Sequence, residues 1–192
     1  MKSKSSNSSA RISQLEENST PLEFSIRPAT VSDACGYVRI GTDAYPPEFH
    51  ESSEAFLAKL RVFPSGCKIV DIAGESVAFL ISHPWTYENP PKLNSEAFTL
   101  PSCPDVFFIH SVTVMRANQK HGIGSALAKA AIALGQSHGF SRLTLISVQN
   151  STSFWQRLGF KQVESLPQSV WHALVGYGDS STYMVGNFGL AC

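Results

Sequence analysis

The chain has 192 residues, 43% of them hydrophobic and 16% charged, and its 15 Lys and Arg are balanced by 15 Asp and Glu. A net charge of zero leaves no basic field of the kind nucleic-acid binders use, so no nucleic-acid partner is expected. No apolar run nears the roughly 20 residues of a membrane span, so no membrane partner is expected either.

The first 22 residues are serine-rich with no apolar stretch, and read as a solvated, disordered tail rather than a secretory address. A faint likeness to a transit peptide is opposed by Glu16 and Glu17. The remainder, 23–188, reads as one domain. Cys35, Cys67, Cys103 and Cys192 show no CxxC spacing, which supports no metal site. Without a secretory signal they read as reduced thiols, and a cytoplasmic location is expected.

Leu22 to Arg27 predicts a strand stopped by Pro28. Thr30 with Asp33 three residues on approximates a capping box and opens a helix. That helix ends before Tyr45-Pro46-Pro47, because the pre-proline position disfavours helix. Ser52 or Ser53 opens a second helix, with Phe56, Leu57 and Leu60 at helical spacing. Lys68–Ile72 and Val77–Ser82, joined by Ala73-Gly74-Glu75, predict a hairpin. The proline-rich run from His83 to Pro104 predicts a long surface loop, and loops of that length are usually functional or disordered.

Val106–Met115 predicts a strand, Gly122–Ser137 a helix with Ile123, Leu127, Ala130 and Leu134 along one stripe, and Arg142–Val148 a strand. Ser151–Leu158 predicts a short helix closed by Gly159. Phe160–Val163 and Thr182–Val185 predict the last strands. Strands alternating with helices define an α/β layer architecture.

Between the Val106 strand and its helix lies Gln119-Lys120-His121-Gly122-Ile123-Gly124. Unpaired N–H groups and the dipole at a helix start suit a phosphate, and glycines let it approach. A dinucleotide fingerprint would need a third glycine where Leu127 stands. A P-loop would need Gly-Lys-Ser/Thr where Gly124-Ser125-Ala126 stands. A tight turn with nothing bound remains open on these residues alone.

The Q-x-x-G-x-G pattern after a strand resembles motif A of the GNAT superfamily of acetyl-CoA-dependent acyltransferases. Ser25-Ile26-Arg27-Pro28-Ala29-Thr30, with Ser32-Asp33-Ala34, looks like the usual opening of these domains. Phe154-Trp155-Gln156-Arg157-Leu158-Gly159-Phe160 is similar to their motif B. Within the superfamily the pattern is closest to the arylalkylamine (serotonin-type) N-acetyltransferases. Their H-A-L-A-V strand and F-Y-Q-R-x-G-F helix correspond to His110-Ser111-Val112-Thr113-Val114 and to the Phe154 segment.

The resemblance implies a GNAT fold: a twisted mixed sheet of about six to seven strands with about four helices, splayed at the CoA site. It implies an acetyl-CoA-dependent N-acetyltransferase, without a metal, acting on a small primary amine such as an arylalkylamine or polyamine. A non-catalytic acyl-CoA-binding domain and a peptide or protein N-acetyltransferase are the alternatives, and a monomer or homodimer is expected. Val112, Thr113 and Val114 would pair with the pantetheine arm, the Val112 amide polarising the thioester carbonyl. Gln119, Lys120, His121, Gly122, Ile123, Gly124 and Ser125 would cradle the pyrophosphate. Asn150 and Trp155 would also meet the cofactor, Asn150 being equally readable as a helix N-cap.

His110 is the candidate base, its intrinsic pKa suiting that task near neutral pH. The family's second strand histidine is absent, since Phe108 stands there. Trp155 replaces the tyrosine expected to protonate the leaving thiolate, and an indole N–H is not a useful acid. Ser151, Ser153 and Tyr177 are the substitutes, with Ser153 and Tyr177 placed among the catalytic residues. The Tyr45–Glu51 loop would line the acceptor side, while His83, His138 and His172 read as structural.

Overall fold

The computed structural model describes residues 22–178 and 180–190, so the tail, except Leu22, and Cys192 lie outside the described residues. Its centre is a seven-stranded mixed sheet. The strands are β1 (Ser25–Pro28), β2 (Cys67–Ile72), β3 (Glu75–Trp85), β4 (Val106–Val114), β5 (Arg142–Ser147), β6 (Lys161–Gln162) and β7 (Thr182–Asn187). Their order across the sheet is β1-β2-β3-β4-β5-β7-β6, and β4 with β5 is the parallel pair.

The helices are α1 (Ala34–Ala44), α2 (Ser53–Val62), α3 (Ile123–Ser137), α4 (Thr152–Arg157) and α5 (Gln168–Val175). Alternation along β3 sorts them between two faces. Phe79 and Ile81 pack with Tyr37, Ile40, Phe56 and Leu60 of α1 and α2. Ala78 and Leu80 face the opposite way, toward Ile123, Leu127 and Ala131 of α3 and Trp155 of α4. No helix among the described residues is long and apolar enough to cross a membrane.

Local chemistry sets most element ends as expected. The Thr30 N–H donates to the Asp33 carboxylate at 2.7 Å, the backward half of a capping box, although the first turn is 3-10 over Val31–Asp33. The Arg27 guanidinium beside Asp33 holds its carboxyl down at about 2. Ser52 caps α2 by accepting from the Ala55 N–H at 3.1 Å. Ala73 and Gly74 both have positive φ, the two-residue geometry that matches strand twist in a hairpin. Gly159, at φ +94°, follows α4 as expected.

Two elements depart from expectation. His83-Pro84-Trp85 is not loop: it extends β3, paired with Phe108, Phe107 and Val106. Pro84 is tolerated because β2 pairs only as far as Ile81, leaving that side of β3 an edge. A fifth helix, α5, fills a segment expected to lack one, and buries Val170 and Leu174 against Phe108 and Tyr183.

The sheet has a defect at its centre. Ser111 of β4 faces Ile81, yet Ile109 faces Ser82, so His110 is an extra residue in β4, a β-bulge. The bulge reverses the alternation. Before it Phe107 and Ile109 face the α3 side; after it Val112 and Val114 do. Opposite the bulge, Gly66 lies against β3. A Cβ there would stand 1.8 Å from the Ser82 carbonyl oxygen, whose own hydroxyl donates to the Gly66 carbonyl at 3.2 Å. Backbone cannot yield as a flexible side chain does. Gly66→Ala is therefore expected to destabilise the fold by about 3 kcal/mol, measured as a lower midpoint in urea with an unchanged slope.

Candidate active site

The bulge coincides with the end of β4–β5 pairing. These strands pair only from Phe107 to Ile109, opposite Leu143 to Leu145, although β4 runs to Val114 and β5 to Ser147. Beyond Ile109 the two diverge, and a cavity of about 280 Å³ opens between them, with Val112, Thr113 and Val114 on one wall and Ile146, Val148 and Gln149 on the other. The end of α1 and the loop after it close the cavity through Tyr45, Phe49, His50 and Glu51.

His110 and Glu51 meet in its wall. The His110 side chain has no exposed surface and Glu51 only 6%. Nε2 of the imidazole lies 3.1 and 3.2 Å from the two carboxylate oxygens. The same carboxylate accepts from Lys59 Nζ at 2.8 Å, Tyr37 Oη at 2.7 Å and the Asn94 N–H at 2.9 Å. Four donors thus converge on one buried anion, satisfying it fully. Burial alone would raise the Glu51 carboxyl, but His110 and Lys59 hold it well below the usual carboxylate range. Burial lowers the His110 pKa, and the nearby Glu51 charge offsets this only in part.

The other ring nitrogen of His110, Nδ1, is buried and makes no hydrogen bond within the protein. Its neighbour across the sheet is His83, with ring centroids 5.9 Å apart. His83 pairs in register with Phe108, so β3 carries a histidine beside the position where β4 lacks one. Burial pushes His83 well below the usual histidine range. Its Nδ1 contacts the Pro84 carbonyl at 3.2 Å, and its Nε2 is unpartnered.

At the cavity's far end lies the glycine turn. Lys120 at φ +67° and Gly122 at φ +83° bend the backbone into the start of α3. Lys120, His121 and Gly122 are exposed, whereas the Ile123 side chain is buried in the core, leaving only its backbone for a ligand. A Cβ on Gly124 would touch Phe154 and Val114 at no less than 3.8 Å, an ordinary contact. The fold therefore does not need glycine there. What a side chain would occupy is the space above the first turn, where unpaired N–H groups suit an anion.

The expected site residues fall into three groups. His110, Val112, Thr113, Val114, Gln119, Trp155 and Tyr177 line the cavity together. The turn from Lys120 to Ser125 lies beyond it at the start of α3. Ser153 and Asn150 are exposed and outside the cavity. Asn150 is not the cap of α4, a place taken by Ser151; with Gln149 it forms a left-handed turn, φ +58° and +52°. Tyr177 donates to the Pro91 carbonyl at 2.8 Å, and burial pushes its hydroxyl far above the usual tyrosine range, which makes it a poor acid. Ser151 lines the cavity and contacts the buried Ser147 hydroxyl at 2.9 Å. Trp155 is buried, edge-on between Phe154 and Phe160.

The profile of the Acetyltransferase (GNAT) family matches residues 36–160, and the chain belongs to that family. No curated protein matches the sequence significantly. Among solved structures it resembles the loading GNATL domain of CurA from Lyngbya majuscula, with TM-score 0.70 and 12% identity over 86% of this chain and 98% of that one. Ard1 from Thermoplasma volcanium is similar at TM-score 0.65 and 18% identity, covering 86% and 98%. Rv2747 from Mycobacterium tuberculosis, solved in complex with CoA, gives TM-score 0.61 and 15% identity over 86% and 99%. At these identities the likeness is one of fold.

If the space over Gly124 serves an anion, filling it weakens binding without unfolding the chain. Gly124→Glu is expected to keep the wild-type melting temperature within a few degrees and to lose acetyl-CoA affinity by at least about 100-fold, by steric block and charge repulsion. Calorimetric titration checks this, and wild-type affinity in the variant would remove the turn from the site.

Proposed function

We propose that the protein transfers an acetyl group from acetyl-CoA to the primary amine of a small arylalkylamine-like acceptor by direct attack in a ternary complex. The observation that carries this reading is the convergence, in one cavity, of the β4–β5 gap and the buried His110–Glu51 pair. The unpaired edge of β4 suits a pantetheine arm lying as an added strand, and the turn after Gln119 suits the pyrophosphate. Acetyl-CoA would supply the activated acyl group as a thioester.

The remaining chemistry falls to side chains. The amine must attack as a free base, so a proton has to leave it. Its lone pair forms the new C–N bond as the C–S bond breaks and sulfur departs with the bonding electrons. The amine proton passes to His110 through one water, and the thiolate takes up a proton from solvent. A CoA thiol has a pKa near that of cysteine, roughly 8.5, so its thiolate leaves without a strong acid. This reconciles transfer with Trp155 standing where a tyrosine is usual. The aromatic rings of Tyr37, Tyr45, Phe49 and Tyr177 in the wall favour an aromatic acceptor over a polyamine. The one carboxylate among the cavity-lining residues, Glu51, is already taken up by Lys59.

Trp155 also motivates a second reading, an acyl-CoA-binding domain without turnover. Release of CoA thiol with a panel of arylalkylamines, polyamines and peptides separates the two; binding with no release on any acceptor supports the second. For the first reading, activity rises with pH as His110 deprotonates, with a midpoint below the usual histidine value because burial lowers it. His110→Ala is expected to cut kcat about 100-fold or more and to erase that acid limb. An unchanged profile would exclude His110 as the base.

A further inference from the structure

Glu51 is the most heavily coordinated polar group at the site, and its position admits three roles: counter-ion for a cationic acceptor, base, or support for His110. The coordination discriminates among them. Both oxygens are engaged by Lys59, Tyr37, Asn94 and His110, so an incoming ammonium would have to displace a buried ion pair. A carboxylate held so far below its usual range is also a weak base. Only support for His110 uses the contacts as they stand.

We propose that the Glu51–Lys59 pair locks His110 as the neutral Nε2–H tautomer, which leaves the basic lone pair of the ring on Nδ1. A carboxylate without a proton can only accept, so the ring nitrogen facing it must donate. In a neutral imidazole the lone pair then resides on Nδ1, the nitrogen that has no partner within the protein. Lys59 completes the arrangement. Its ammonium, 1% exposed and 2.8 Å from Glu51, cancels the carboxylate charge, so that Glu51 orients the ring without holding it as a permanent imidazolium.

The groups facing this pair come from every packed element. Tyr37 of α1 donates to Glu51, and Lys59 of α2 pairs with it. His83 of β3 lies beside His110 with the two rings tilted, and Tyr177, after α5, is in the same cavity wall. None of these supplies a second anion, so an imidazolium formed at His110 is stabilised by Glu51. Returning its proton to solvent restores the starting ring, and the balance is one amine N–H bond exchanged for one thiol S–H bond. Glu51 and Lys59 are positioning residues; His110 alone exchanges the proton.

The proposal rests on the transferase reading, but its first test does not. Nitrogen NMR of histidine-labelled full-length protein near neutral pH, assigned by loss of signals in His110→Ala, is expected to show His110 with a protonated Nε2 and an unprotonated Nδ1. The opposite tautomer, or an imidazolium, overturns the lock whether or not the protein is active. If the tautomer is as expected and no amine is acetylated, the transferase reading fails and the lock stands.

Kinetics provide the second test. Glu51→Gln accepts or donates equally well, so both tautomers become populated, and the unpaired Lys59 disfavours imidazolium. Expected are a kcat loss of about 100-fold or more and an acid limb moved to lower pH, with KM for the amine changed less than about threefold. The Glu51→Gln, Lys59→Met double variant, which leaves no buried charge unpaired, is expected to melt near the wild type yet keep the kcat loss. Recovery of kcat with stability would reduce Glu51 to a structural role. A rise in KM with kcat intact would make it an acceptor counter-ion. Loss of activity in Glu51→Gln beside an unaffected His110→Ala would make it the base. Each of these three results overturns the proposal.

Discussion

The architecture around the cavity depends on a single inserted residue. A strand at the centre of a sheet normally spends its backbone N–H and C=O groups on both neighbours, since leaving such groups buried and unpaired costs about 1–3 kcal/mol each. β4 does so only up to Ile109. At His110 the bulge inserts one residue and turns the following segment by one face. Val112 and Val114 thereby enter the core under α3. Ser111 and Thr113 meet at 2.7 Å, and Thr113 donates to Tyr45 at 3.1 Å. The same turn releases β5, which keeps its antiparallel ladder with β7 from Arg142 to Ser147. The gap is thus an edge inside a sheet, open to a strand-like ligand, with the bulged histidine at its root.

A second constraint holds the loops over that gap. Glu51 ties the loop that carries it to α1, α2, β4 and the long proline-rich segment through Tyr37, Lys59, His110 and Asn94. Asn94 makes the attachment reciprocal, since its side-chain oxygen accepts from the Ser52 N–H at 2.7 Å. Removing either Glu51 or Lys59 leaves the other charge buried and alone, which is far costlier than never having buried the pair. The stability of this cavity wall and the electrostatics beside His110 therefore share one origin.

Much of this was legible in the sequence because it is local. Capping at Thr30 and Ser52, the Ala73-Gly74 turn and the strand–glycine–helix unit are each specified within a few residues, and the motif order pointed to the family. What escaped is non-local or obeys a rule that context overrides. Pro84 argued against a strand because the edge that tolerates it arises only from β2 beginning at Cys67, opposite Ile81. The α5 segment does carry a local signal, since Pro167 and Gly176 bracket Val170 and Leu174, four residues apart. Lys59 is the instructive case. It shares a helix face with Ala55 and Phe56, and a lysine on a buried stripe signals a partner. Nothing in the spacing, however, indicates that the partner is Glu51 or that both converge on a histidine 51 residues beyond Lys59.

The two ends of the proposed reaction are built to different standards, and the chemistry accounts for the asymmetry. An alkylamine holds its proton tightly near neutral pH, so its removal needs an oriented, neutral and desolvated base, and the protein surrounds His110 with groups from α1, α2 and β3 to provide one. A thioester's leaving group is only modestly basic, roughly the basicity of a cysteine thiolate, and accepts a proton from weak donors. Trp155, where the family resemblance expects a tyrosine, is 6% exposed and belongs to the core with Phe160 and Met184. A residue there that packs α4 onto the sheet, rather than donating a proton, is consistent with an enzyme that concentrates its polar organisation where the proton is hardest to move.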